Sequence, residues 1–148
     1  WGMVDMSAYT VHKRTDRVWL RVLDPVAALS ARHYTAHRRM TLAVVDSLGF
    51  ADGIYEIDTT DGETRVARVG DRPRTESDRA GASMPEVELP EGVDAALTVD
   101  LLGSLYLGAV KASTLHQAGL LRVRDDDALR DLQDLMTTTA DPYCISPF

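Results

Sequence analysis

Ala95-Ala96-Leu97-Thr98-Val99-Asp100-Leu101-Leu102-Gly103-Ser104-Leu105-Tyr106-Leu107-Gly108 changes periodicity midway. Its first five residues read as a short strand, Ala95–Val99. Asp100 then offers a carboxylate to cap a helix in which Leu101, Leu102, Leu105 and Tyr106 are the apolar positions, and Gly108 stops it. The order of elements on either side of this strand-to-helix step decides the fold class.

Downstream, Ser113 is a cap for a second short helix with Leu115 and Ala118 inward and Gly119 as its left-handed end. Leu120–Val123 has the length of a short strand. Asp125–Asp127 then place negative charge at the start of a helix running to about Thr138. In that helix Ala128, Leu129, Leu132, Leu135 and Met136 recur at three and four, the spacing of one buried stripe.

Upstream, Gly70–Gly92 holds Pro73, Pro85 and Pro90, dense charge and few apolar anchors, and reads as a long exposed loop. Ile54–Thr59 and Thr64–Val69 flank Asp61-Gly62 as a hairpin. Gly49–Gly53 is a loop, and Met40–Val45 is an apolar run of strand length. Asp24 caps a helix that starts at Pro25, where the missing N–H costs nothing, and reaches about His33. Arg17–Leu23 reads as a strand covered on both faces. Residues 1–12 show no clear period and read as a linker, leaving 13–148 as one domain. Taken together the order gives an α+β fold, with a mostly antiparallel sheet of about five strands covered by helices.

The composition narrows the class. A chain of 148 residues with 45% hydrophobic content can bury a core without disulfides or structural metal. No apolar run approaches the roughly 18 residues of a membrane span, and no signal-peptide pattern opens the sequence. Cys144 is the single cysteine, so a reducing cytoplasm is the simplest setting. Opening on Trp1 suggests a piece of a longer polypeptide. The net charge of −7 is concentrated after residue 40, and no basic stripe interleaved with aromatics points to nucleic acid.

Candidate chemistry is sparse. His33 and His37 are four apart, as metal ligands on one helix face would be, but no third ligand follows at a useful spacing. His12 and His116 are isolated. Cys144 has no motif of a nucleophile around it and reads as a small buried hydrophobe. Asp125-Asp126-Asp127 lacks the glycine and distal glutamate of a calcium loop and is better explained by helix capping. The glycines form neither a phosphate loop nor a dinucleotide fingerprint. Leu101, Leu105, Tyr106 and Leu107 are either tunnel lining or core, and core is the cheaper account.

The final residues, Asp141-Pro142-Tyr143-Cys144-Ile145-Ser146-Pro147-Phe148, are too apolar for an ordinary frayed end and suit docking. With Phe148 as the native terminus and its ring in an apolar pocket, the α-carboxylate is held near protein. Partial desolvation then raises its pKa above the free value of about 3.5 and makes it a better base. A tail that only closes one end of the core is the alternative.

Leu97–Gly108 followed by Leu115-His116-Gln117-Ala118-Gly119-Leu120, together with Arg14–Tyr34 and Asp141-Pro142-Tyr143-Cys144 with the final Phe148, resembles the sterol-carrier-protein-like (SCP2-like) domain. The resemblance is to the version that closes the enhanced-intracellular-survival (Eis-type) GCN5-related N-acetyltransferases, and it spans about residue 12 to the end. It implies an acetyl-CoA-dependent enzyme with two GCN5-related domains ahead of this one, a hexameric assembly, and an amine acceptor of aminoglycoside or lysine type. It also implies that the terminal carboxylate, here that of Phe148, is the general base. The acetyl-CoA loop and the general acid then belong to the preceding domains, so this fragment is expected to hold no cofactor and to be inactive alone. The loop 70–92 is longer than expected of the family, and Pro147 beside the terminus leaves acceptor contacts open. A lipid- or sterol-binding carrier and a purely structural oligomerisation module are the competing functions.

Overall fold

In the computed structural model, residues 20–73, 87–108 and 110–138 are described. Asp24 accepts from the Ala27 amide at 3.0 Å and, with Pro25 in the first turn, starts α1 (Pro25–Ala31). A hairpin follows, β1 (Arg39–Val45) with β2 (Gly53–Asp58), then β3 (Arg65–Gly70) antiparallel to β2 across the turn at Gly62. After residues 87–94, β4 (Ala95–Thr98) lies parallel to β1, pairing Leu42 with Ala95 and Val44 with Leu97. α2 (Val99–Tyr106), α3 (Ala112–Gln117), β5 (Arg122–Val123) and α4 (Asp126–Met136) complete the order. The sheet runs β3-β2-β1-β4-β5, antiparallel except at β1/β4. This is the α+β, mostly antiparallel five-stranded arrangement that the pattern of elements predicts.

The four helices among the described residues cover one face. α1 packs on β2 and β3, α2 on β1 and β4, and α4 on β1, β4 and β5 and against α3. Between the layers Leu29, Leu42, Val44, Ile57, Leu97, Leu102, Leu105, Leu121 and Leu132 are fully buried. The stripe predicted for the last helix lies here: Ala128, Leu132, Leu135 and Met136 are buried, and Leu129 packs at the margin. Burying one such leucine contributes about 1.5–3 kcal/mol, so these few residues dominate the stability. On the opposite face Ala43 and Ala96 sit side by side, under Val93 and flanked by Val87 and Leu89.

Several boundaries differ from expectation. Leu20–Leu23, the described part of the expected strand 17–23, has no regular structure: Val22 alone is buried, while Arg21 pairs with Asp46 and Asp100. Its β-branched composition is overridden by these tertiary contacts. Helix α1 ends at Ala31, short of His33, because Arg32 leaves the helix in an extended conformation. Thr98, not Asp100, is the N-cap of α2, and Asp100 sits in the first turn, facing the helix's positive end. Lys111, not Ser113, precedes α3, without a side-chain cap, and Ala118 is exposed. Gly119 does close α3 at positive φ, and Asp125 caps α4 through the Ala128 amide at 2.8 Å.

Candidate functional site: the base of the C-terminal tail

Three helix ends meet at Arg32. Its Nη1 donates to the Tyr106 carbonyl, and its Nη2 donates to the Met136 carbonyl at 2.8 Å, so one guanidinium closes the last turns of α2 and α4. The Arg32 amide reaches the Leu29 carbonyl at 3.4 Å in the last turn of α1. Carbonyl ends of helices carry partial negative charge, and a cation shared between two of them is favourably placed. The guanidinium also lies over two rings, 5.9 Å from the centroid of Tyr34 and 5.5 Å from that of Tyr106. Those tyrosines complete α1 in turn: Tyr34 OH donates to Leu29 O at 2.9 Å and Tyr106 OH to Ala28 O at 3.1 Å. Burial pushes the Tyr34 hydroxyl well above the ordinary range against the opposing pull of Arg32, so it remains a donor. Arg32 Nε is buried without a partner.

The C-terminal segment departs from this node. Met136 ends α4, and Thr138 lies against Gly108, where an added Cβ would meet the threonine side chain. Phe148 and the rest of Asp141–Phe148, Cys144 included, lie outside the described residues, as do His12, Trp19 and the linker 1–12. Loop residues 74–86 also fall outside them, while 71–73 and 87–90 have no helix or strand.

The remaining candidates are structural where they are described. His33 and His37 follow the end of α1 and do not share a helix face; His37 Nδ1 is 2.9 Å from Thr59 O, a carbonyl that only accepts, so that nitrogen carries the proton. His116 Nδ1 similarly faces Leu121 O at 3.1 Å. Among the described residues no three His, Cys, Asp or Glu side chains converge as metal ligands. Leu105 is fully buried, and Leu101 and Tyr106 pack at the margin of the core, so these positions are filled by packing. No helix among the described residues is long and apolar enough to cross a membrane.

At the other end of α1, roughly 10 Å away at 1.5 Å per residue, a cleft of about 280 Å³ opens between Leu23, Pro25, Val26, Phe50, Tyr55 and Arg68. Its rim is the turn between β1 and β2, held by two carboxylates. Asp46, 1% exposed, accepts from the Leu48 and Ala51 amides, both at 2.9 Å, and from Arg21. Burial alone would raise its pKa; the amides of Ala51 and Leu48 and the Arg21 cation outweigh that and hold it below the usual carboxylate value. Asp52 accepts from the Asp46 amide at 3.0 Å and from Arg72 Nη2 at 2.9 Å. Neither Arg32 nor this turn is visible as a site in the sequence, because the partners of Arg32 are 74 and 104 residues away. The one local hint was an aromatic, Phe50, inside a glycine-flanked loop.

A two-layer α+β domain with a helix-end node at the root of an apolar tail is the class of structure that the fold defines. Residues 25–145 match the model of the sterol carrier protein domain, and the chain belongs to that family. It is 37% identical over 120 residues to the N-acetyltransferase Eis of Mycobacterium tuberculosis (strain ATCC 25177 / H37Ra), covering 80% of this chain and 24% of that protein. It is 30% identical over 146 residues to an uncharacterized N-acetyltransferase of Streptomyces avermitilis, covering 97% of this chain and 30% of the relative. Among solved structures it is similar to Eis1 from Mycobacterium abscessus, with a TM-score of 0.62 and 26% identity over 84% of this chain and 26% of that one. A GCN5-related N-acetyltransferase from Kribbella flavida shares the fold, with a TM-score of 0.60, 23% identity, and coverage of 86% of this chain and 28% of that one. The chain is thus related to Eis-type N-acetyltransferases and spans roughly a quarter to a third of the length of these relatives.

Proposed function

We propose that this chain is the C-terminal domain of an acetyl-CoA-dependent amine N-acetyltransferase, with its terminal carboxylate at Phe148 as the general base. The observation that carries the reading is the 37% identity to an Eis N-acetyltransferase across 80% of the chain. The Phe148 ring anchors the tail, and the carboxylate, partly desolvated, takes a proton from the amine as its nitrogen attacks. Arg32 supports this role from a distance: by tying the ends of α2 and α4 together it sets the point and direction from which the tail leaves. Anchoring at a rigid node limits the conformations the tail must give up on reaching the acceptor site.

Two helix starts here are closed to the cofactor's pyrophosphate. The amide-bearing starts of α1 and α4 are already taken by the carboxylates of Asp24 and Asp125, which an anion would have to displace. Acetyl-CoA, which supplies the activated acetyl group, is assigned to GCN5-related domains preceding this one, together with the general acid. The acceptor is an amine of aminoglycoside or lysine type, and the enzyme works in the cytoplasm as a homo-oligomer.

The test is the full-length enzyme with a single residue added after Phe148. Moving the carboxylate one residue along is expected to lower kcat at least a hundredfold, the lower range for loss of general base catalysis, with the thermal midpoint unchanged. Undiminished turnover in a folded protein would refute the role of the terminus.

A further inference from the structure

We infer that the turn Asp46–Asp52, with the adjoining Leu23, is the surface on which the preceding domain of the same polypeptide docks. The inference rests on the reading of the chain as the closing domain of a longer enzyme, but not on the chemistry assigned to Phe148. Leu23, Leu48 and Phe50 are 60%, 63% and 68% exposed, whereas the other large apolar side chains among the described residues are mostly inside. Exposed hydrophobes scattered singly are ordinary, whereas clustered ones mark contact surfaces. Here Leu23 and Phe50 line one cleft, and Leu48 stands on the same turn, one residue from Gly49 in the cleft wall.

The turn is also held rigid. Asp46 binds two of its amides and Arg21, and Asp52 binds the Asp46 amide and Arg72, so Leu48 and Phe50 are presented on a fixed frame. A preformed apolar projection loses little entropy on binding, which is what a docking surface requires. Asp24 and Arg68 at the cleft, and Asp100 beside Arg21, form a polar rim around it, the usual anatomy of an interface.

The path of the chain identifies the occupant. Leu20–Leu23 runs beside this turn, tied to it through Arg21, so the polypeptide before residue 20 joins the domain at the patch. Similar proteins are more than three times as long as the stretch matched here. Followed back through residues 1–19, the polypeptide therefore leads from the patch to the domain that precedes this one. Its complementary face is an apolar hollow that receives Phe50, with polar groups around it.

Labelling decides the matter. Phe50→Cys, and separately Leu48→Cys, are made with Cys144→Ser in both the full-length enzyme and the 148-residue chain, which carries its own core. The turn's hydrogen bonds run through Asp46 and Asp52 and survive either change. A polar maleimide is added, and modification at residue 50 or 48 is followed by peptide mass spectrometry. Val69→Cys, 54% exposed on β3 and not among the residues that line the cleft, serves as the reference. The expected result is labelling at least tenfold slower in the full-length enzyme at 50 and 48, with the rate at 69 unchanged. Equal rates in the two proteins would overturn the assignment, and so would equal slowing at 69. Slowing that grows with protein concentration would also overturn it, by giving the patch to a second copy. Turnover plays no part in the readout, so failure here leaves the proposed base untouched, and failure of the base leaves the docking surface untouched.

Discussion

Replacing Asp46 by alanine probes the frame of the β1–β2 turn. The carboxylate is 1% exposed, and its loss strands the Ala51 amide, which is buried, the Leu48 amide, which is partly so, and one side of Arg21. Hydrogen bonds to a charged group contribute about 1.5–3 kcal/mol each. Arg21 keeps Asp100 at 3.3 Å, an exposed partner that recovers little. Allowing for the solvent access of the Leu48 amide, the cost is about 3 kcal/mol, toward the low end for breaking a buried pair. In a chain of this size that lowers the thermal midpoint by about 6–12 °C. Asp46→Asn, which retains one acceptor oxygen, falls between. The pH dependence has a definite sign. The folded pKa is depressed, so the stabilisation from ionised Asp46 is fully present above the unfolded value of about 3.9 and is lost as pH falls through the folded value. Urea unfolding of the wild type and Asp46→Ala at a series of pH values checks this: the gap between them is expected to be constant from about pH 6 to 8 and to narrow below about pH 4. A gap under about 1 kcal/mol at pH 7, the scale of a surface pair, would refute the reasoning, as would one that persists unchanged at pH 3.

Two further outcomes follow from the packing. Arg32→Met leaves the Tyr106 and Met136 carbonyls without their shared donor and is expected to cost about 2–3 kcal/mol in urea unfolding, whereas Arg32→Lys recovers only part, since an ammonium cannot fork between two carbonyls while lying across two rings; a lysine variant as stable as the wild type would contradict the clamp. Gly103→Ala separates two effects of opposite sign. Helix propensity alone favours alanine by about 1 kcal/mol, but the new Cβ would run into the Leu20 carbonyl, so a net loss of about 1–3 kcal/mol and faster proteolysis within Leu20–Leu23 are expected. A raised thermal midpoint would show that the segment yields freely.

Local rules reach a long way in this chain. The Asp24-Pro25 start of α1, the Asp125 cap, the Gly62 hairpin, the Gly119 stop and the stripe of α4 are each written within a few neighbouring residues, and each is found where those residues place it. Asp100 and Ser113 show the limit, since a polar residue near a helix start need not be its cap. Leu20–Leu23 shows it more clearly, because a strand needs a neighbour to pair with and this stretch is committed instead to Asp46, Asp100 and the close approach at Gly103.

Composition and spacing by themselves determined the fold class and most of the elements, since those depend on short-range periodicity and capping, while the kinship with sterol-carrier-type domains rested on the resemblance of the quoted motifs. Tertiary structure alone decided that β4 enters the sheet parallel to β1, that three helix ends close on Arg32, and that Leu23 and Phe50 meet at one cleft. The pairing of β4 with β1 spans some fifty residues and the contacts of Arg32 span 74 and 104, and at such separations no periodicity connects the partners, only the folded chain.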